Sequence, residues 1–362
     1  RKKGGKLKHL YVMGCLSERY MNDLITEIPE VDGWYGKFDW SNIVNDLTRR
    51  YPATAKYDRV ITTPPHYTYI KIAEGCNRFC AFCAIPLITG RYKSRTQNDI
   101  VDEVRMLVGR GVKEFNIIAQ DLSSYGMDLS GGKQQLADLI KRLAETEGVD
   151  WIRLHYAYPA QFPMEVMDVM AEYPNVCNYM DIALQHIADP VLHNMRRHID
   201  GKRTRDLIAE MRHKVPGLHL RTTLMVGFPG EGEREFEQLM EFVEETRFER
   251  MGAFAYCEED DTYAAKHLKD VIPQSVKEER LHKLMGLQER VSQEIQDQKI
   301  GTNVRVIVDR EEPEFYVGRT QWDSPEVDPE VLIKKTEKLH LGTFYNVMID
   351  SALPFELIGH IE

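Results

Sequence analysis

The chain has 362 residues, with 47 Lys plus Arg against 57 Asp plus Glu, a formal net charge of -10, and 43% hydrophobic residues. That length exceeds what one hydrophobic core ordinarily serves and implies two or three domains. No run approaches the roughly 20 apolar residues of a membrane-spanning helix, and the acidic balance speaks against a chain built as a whole to grip nucleic acid. Six cysteines, three of them packed into eight positions, do not make a disulfide framework and point to metal or redox chemistry in the cytoplasm.

The chain opens on Arg1, with Lys-Lys-Gly-Gly-Lys after it and no secretory signal, and is expected to be a fragment with residues missing upstream. Residues 1–62 hold one strand-like piece, Leu10 to Met13, and helical segments at Met21 to Ile28 and Trp40 to Arg50. Alone they are too little for an independent core and read as the back half of an α/β domain. From Thr68 to Tyr256 one unit recurs: a short run rich in β-branched and aromatic residues, a loop, then a helical pattern. Six such runs are predicted as strands: Tyr69 to Ala73, Phe115 to Ala119, Ile152 to Tyr156, Tyr179 to Leu184, Leu218 to Val226 and Met251 to Tyr256. Thr96, with Asp99 three residues on, is expected to cap the helix that buries Ile100, Val104 and Leu107. Alternating strands and helices imply parallel strands with right-handed crossovers, as a doubly wound sheet or an open or closed barrel. In either form ligands sit at the C-terminal ends of the strands.

Residues 63–272 are therefore assigned to this α/β unit. Leu281, Leu284, Met285, Val291 and Ile295 keep helical spacing in a connector over 273–300, with Gly301 expected as its C-terminal cap. In 301–362, five short runs starting at Val304, Phe315, Val331, Phe344 and Glu356 are predicted to form a small antiparallel barrel.

The strongest chemical signal is Gly75-Cys76-Asn-Arg-Phe-Cys80-Ala-Phe-Cys83, in the loop leaving the first strand of the unit. Three thiolates converging within one loop can grip three irons of a cubane cluster and leave the fourth open to a ligand. A closed zinc site needs four ligands and usually shows paired Cys-x2-Cys spacing, so that reading requires a distant His and describes a binding module without catalysis.

With its Cys-x3-Cys-x2-Cys spacing after strand one and Phe82 before the last Cys, the chain resembles the radical S-adenosylmethionine enzymes. The resemblance implies a partial (βα)6 TIM-like barrel whose unique iron chelates S-adenosylmethionine. One electron then cleaves this cofactor to methionine and a 5'-deoxyadenosyl radical, which takes hydrogen from an unactivated C–H bond. Val12-Met-Gly-Cys15-Leu-Ser-Glu-Arg-Tyr20, Ile118-Ala-Gln-Asp-Leu-Ser-Ser-Tyr-Gly126 and Val226-Gly-Phe-Pro-Gly-Glu231 are similar to the methylthiotransferases within that class. Those enzymes carry a second 4Fe-4S cluster on three N-terminal cysteines and end in a small barrel called TRAM. Cys15 looks like one of the three and has no thiol near it in the sequence, so this chain is expected to hold one cluster rather than two.

Ala119-Gln-Asp121, Arg153-Leu-His-Tyr-Ala-Tyr-Pro159, Asp181-Ile-Ala-Leu-Gln-His186 and Gly318-Arg-Thr-Gln-Trp-Asp-Ser-Pro-Glu-Val-Asp328 resemble the branch that methylthiolates the β-carbon of an aspartate in small-subunit ribosomal protein S twelve. The transfer-RNA branch typically has Gly-Gln-Asn where this chain has Ala-Gln-Asp. A flavodoxin or ferredoxin as electron donor and a sulfur source are implied as further partners. From Gly301 to Glu362 there are 6 Lys plus Arg against 12 Asp plus Glu, a sign that suits a basic protein rather than an RNA backbone, although it also serves solubility.

The resemblance implies that Gln120 and Asp121 after strand two, and Gln185 after strand four, contact the cofactor; polar strand exits bonded to their own loops are the alternative. Gly227, Phe228, Pro229 and Gly230 after strand five would let backbone approach an adenosine, or make only a tight turn. Arg221, Arg196 and Arg197 suit a carboxylate of cofactor or substrate, or surface pairing. Cys177 and Cys257 are expected as small buried apolar residues, and His155 and His186 as satisfied core histidines.

Overall fold

The computed structural model describes residues 5–37, 39–48 and 59–361. Its N-terminal part pairs β1 (Tyr11–Met13) with β2 (Gly33–Tyr35) in parallel, joined through the helix Cys15–Glu27 and followed by the helix Trp40–Thr48. The expected helix over 21–28 thus starts six residues earlier, and the last two residues of the expected Trp40 to Arg50 helix lie outside the described residues. The Gly-Trp-Tyr strand was not legible because three residues show no period.

The central unit contains β3 (Tyr67–Lys71), a two-residue antiparallel bridge of β4 (Ala73–Glu74) with β5 (Lys93–Ser94), and then β6 (Glu114–Ile118), β7 (Trp151–Ala157), β8 (Val176–Gln185), β9 (His219–Val226) and β10 (Arg250–Ala255). Six of these form one parallel sheet in chain order, β3-β6-β7-β8-β9-β10, with β3 and β10 at the edges. All six predicted runs fall on these strands. The largest core lies between this sheet and its helices. Ile70, Phe115, Ile117, Ile152 and Leu154 from the strands meet Ile100, Val104, Leu107, Leu139 and Leu143 from the helices. Thr96 caps the helix Gln97–Val108 through a 3.2 Å bond from the Asp99 amide, as its sequence position predicts.

The helix Gln274–Asp297 crosses to β11 (Asn303–Glu311), β12 (Phe315–Thr320), β13 (Glu330–Lys334), β14 (Phe344–Leu353) and β15 (Glu356–Ile361). These close a barrel in the order β11-β12-β13-β15-β14, antiparallel except for the parallel pair β13 with β15. Gly301 is not the helix cap. The helix closes on Gln298 in right-handed conformation, and Gly301, at φ +77°, turns the chain into β11 three residues later.

The small barrel docks on the N-terminal ends of the parallel strands, opposite the ends where ligands are expected. Arg319 of β12 reaches Glu114 at the start of β6 through both carboxylate oxygens, at 3.0 and 2.7 Å, and bonds Asp309 at 2.6 Å. Arg153 bonds Glu114 at 3.2 Å and the Gln321 carbonyl at 2.6 Å. Arg250 grips Asp323 at 3.1 and 2.5 Å, and Tyr179 donates to Asp328 at 2.7 Å. Burial opposes ionisation of Glu114, but Arg319 and Arg153 outweigh it and hold its carboxyl below the usual range. Apolar and aromatic contacts complete the seam: Trp151 meets the Phe344 edge at 4.7 Å, and His219 stacks on Trp322 at 4.6 Å.

Candidate active site

Gly75 begins the cysteine loop at φ +82°, and a Cβ there would lie 2.2 Å from the Arg91 carbonyl oxygen, so only glycine permits this crossing. The Cys76 amide donates to the Gly90 carbonyl at 3.3 Å and the Tyr92 amide to the Asn77 side chain at 3.2 Å, which pin the loop on the returning chain. Cys76, Cys80 and Cys83 then line one cavity of about 420 Å³ at the C-terminal ends of β3, β6, β7 and β8. Gln120 and Gln185 line the same cavity, with Lys71, Arg78, Phe82, Tyr158 and Arg197 among the remaining residues.

Burial pushes the Cys76 thiol up to about 12 and raises that of Cys83. Thiols so disposed stay protonated until a metal draws off the proton. Arg197 donates to the Cys80 sulfur at 3.2 Å, and the Tyr158 hydroxyl, itself donating to the Arg197 carbonyl at 2.6 Å, accepts from that thiol at 3.9 Å. Among the described residues no three His, Cys, Asp or Glu side chains close on a point that one metal ion could occupy. A zinc site needs that convergence, whereas a cubane takes its thiolates at separate corners. The donor set, all sulfur, with Cys76 and Cys80 buried and Cys83 half-buried on the wall of an open cavity, fits the cluster.

Other candidates take different places. Asp121 is 1% exposed and does not line the cavity; it accepts from Arg78 at 2.7 Å and from Ser124 at 2.5 Å, and so orients Arg78, whose guanidinium lies 4.2 Å from the Tyr158 ring centre. Arg221 sits one layer below, 3.4 Å from Asp181 and 3.3 Å from Asp328. Gly227, at φ +73°, abuts the Lys277 side chain, and its amide donates to Glu231 at 2.9 Å. Phe228 is fully buried, its ring 6.1 Å from Phe82 and 4.9 Å from Tyr256. Pro229 accepts from Asn194 at 3.1 Å, and a Cβ on Gly230 would lie 2.4 Å from the same Asn194 amide. This segment buttresses the cluster loop from behind through Phe82 and does not line the cavity.

Cys15 opens its helix and is exposed; that helix contacts the short helix Ile85–Thr89, which begins two residues after Cys83. Cys177 is buried beside Trp151, Tyr179 and Ile307 as expected, whereas Cys257 is not buried: it lies two residues past the end of β10, in an exposed loop. His155 shares a 3.2 Å bond with Asn116, and burial pushes it down to about 3; His186 lies 3.2 Å from Glu231. Arg196 stacks 4.4 Å from the Tyr263 ring, away from the cluster. Sequence reasoning missed Lys71, Arg78 and Tyr158 as cavity residues, although Arg78 lies inside the cysteine motif and Tyr158 follows β7.

Residues 70–243 match the Radical SAM superfamily and residues 300–361 the TRAM domain. The chain is 56% identical over 361 residues to a ribosomal protein uS12 methylthiotransferase RimO of Parabacteroides distasonis, covering 100% of this chain and 83% of that one. The RimO of Porphyromonas gingivalis is likewise 56% identical over 362 residues, with 99% and 83% covered. That of Cytophaga hutchinsonii is 46% identical over 361 residues, with 99% and 82% covered. The chain belongs to the ribosomal protein uS12 methylthiotransferase family. It is a radical S-adenosylmethionine enzyme, and membership implies a 4Fe-4S cluster and S-adenosylmethionine as its cofactors. No described helix is long and apolar enough to cross a membrane.

Proposed function

We propose that this chain methylthiolates the β-carbon of an aspartate in ribosomal protein uS12, working in the cytoplasm. The observation that carries the reading is the convergence of Cys76, Cys80, Cys83, Gln120 and Gln185 on one cavity, in a chain 56% identical over its length to enzymes of that name. Cys76, Cys80 and Cys83 hold the cluster, and Arg197 stabilises the Cys80 thiolate by a charge-assisted hydrogen bond. Cluster and S-adenosylmethionine, when bound, supply a radical able to take hydrogen from an unactivated C–H bond. Gln120 and Gln185 hydrogen-bond the polar methionine end of the cofactor. Apolar Ile118, Ala157 and Ala183 keep water from the reacting centre.

One cluster per chain is proposed, the one that Cys76, Cys80 and Cys83 hold. Iron analysis should give about four atoms per chain. The domains divide at 1–62, 63–272, 273–300 and 301–362. A flavodoxin or ferredoxin supplies the electron, and a separate sulfur source the sulfur. Mass spectrometry of uS12 after anaerobic incubation with the reconstituted full-length enzyme, cofactor, sulfide and reductant tests the reading. A methylthio adduct on an aspartate is expected. Modified transfer RNA with untouched uS12 would overturn it.

A further inference from the structure

Three cationic side chains line the cluster cavity, and two of them are committed. Arg78 donates to Asp121 at 2.7 Å and to Ser124 at 3.1 Å. Arg197 donates to the Cys80 sulfur at 3.2 Å and to the Ala183 carbonyl. Both guanidinium groups lie 4.2 Å from the centre of the Tyr158 ring. Drawing either one away would strip a buried carboxylate or a cluster sulfur of its partner, which is costly in a desolvated site.

Lys71 is different. It is the last residue of β3, the edge strand that pairs with β6 alone, so it stands where the open barrel admits a bulky partner. Period-two alternation puts it on the face of Tyr67 and Tyr69, while Ile70 on the other face is buried under the helices. Its side chain is 47% exposed and its ammonium lies 2.6 Å from Glu74 Oε2. The other Glu74 oxygen, Oε1, already takes Lys37 and Gln120, each at 2.6 Å. Lys71 can therefore turn into the cavity and leave Glu74 with a cation and an amide as partners. It is the one cavity cation of the described residues whose release strands nothing.

We infer that Lys71 receives the carboxylate of the substrate aspartate at the cavity mouth and so presents the adjacent β-carbon to the reacting centre. This rests on the proposed uS12 methylthiotransferase activity. In an aspartate the β-carbon bears the carboxylate, so gripping that group fixes the neighbouring C–H, and a mobile ammonium with three donors suits a carboxylate that arrives and leaves. Lys71 acts as a positioning residue. A second carboxylate, that of the cofactor's methionine, has the same chemistry, and the experiment separates the two.

The test compares the unaltered full-length enzyme with its Lys71→Gln and Lys71→Arg variants, all reconstituted and matched by cluster absorbance. Cofactor affinity is measured by equilibrium dialysis and kcat/KM by mass spectrometry of uS12. Lys71→Gln should lower kcat/KM for uS12 by about 10- to 100-fold, mainly through KM, with cofactor affinity kept and Lys71→Arg recovering part of the loss. The unaltered enzyme should also disfavour uS12 carrying asparagine at the target position, a preference that Lys71→Gln should narrow. Unchanged kcat/KM in Lys71→Gln, or a loss confined to cofactor affinity, would overturn the inference. If Lys71→Gln fails to hold its cluster, equal turnover of aspartate and asparagine substrates by the unaltered enzyme would overturn it alone, and unequal turnover with Lys71→Arg active would uphold it. Absence of any product from the unaltered enzyme would instead overturn the activity on which it rests.

Discussion

Each cluster cysteine sits in a different surrounding, yet all three should be indispensable, because a cubane held by two thiolates has lost the geometry that leaves one iron open. Replacing Cys76, Cys80 or Cys83 by Ala should abolish 5'-deoxyadenosine formation and the broad absorption at roughly 400 nm. The circular dichroism spectrum should persist, since the main core lies on the far side of the sheet from these side chains. Normal 5'-deoxyadenosine formation by any of the three variants would refute the assignment. Asp121 shows how residue identity and role come apart. Its place after β6 suggests a cofactor contact; in the fold its Oδ2 takes Arg78 and Ser124 and aims the arginine, while its buried Oδ1 has no partner within the chain.

At the scale of elements, the seam between the parallel sheet and the small barrel is ionic at its centre. Arg319 is fully buried and serves Glu114 and Asp309 together. Arg319→Met leaves both carboxylates without their cation and should destabilise the protein by about 3 to 5 kcal/mol, read from urea unfolding. Adding Glu114→Gln should recover part of that loss, whereas additive losses would show that the pair is not coupled. Asp323 makes the same seam sensitive to acid. Burial opposes its ionisation, but Arg250 and Lys299 outweigh it and hold it at about 2, against 3.8 for an ordinary aspartate. A carboxyl lowered by folding stabilises the protein above pH 3.8, and that contribution of about 2 kcal/mol is lost as the pH falls through 3.8 towards 2. Unfolding midpoints of unaltered protein and Asp323→Asn should converge across that window. A constant gap would mean that Asp323 is not linked to folding.

For the whole molecule, the charge balance of residues 301–362 needs its location before it can be read as a binding surface. Asp309, Asp323 and Asp328 turn inward on Arg319, Arg250 and Arg221, so three of the twelve acidic residues and one of the six basic ones are spent on docking. The excess left outside is smaller but still negative. Binding of isolated uS12 should therefore weaken with salt, by about tenfold or less between 0.1 and 0.5 M, as exposed charges are screened. Salt-independent binding, or a preference for transfer RNA, would show that this face is not the partner surface.

The six parallel strands, the five strands of the small barrel, the Thr96 cap and the position of the cysteine loop are all legible in the residues. These depend on local period, on β-branched runs and on residue types at fixed spacing, all carried within a dozen positions. Which strand ends share a cavity depends on long-range packing, and this packing separates Gln120 and Gln185, which line it, from Arg221 and the Gly227 to Gly230 turn, which do not. It also brought Lys71 beside Glu74 and Gln120, and Arg319 beside Glu114 across 205 residues of chain. Such meetings follow from how the sheet curls and where the small barrel docks, and long-range packing of this kind leaves no periodic trace in the residues it joins.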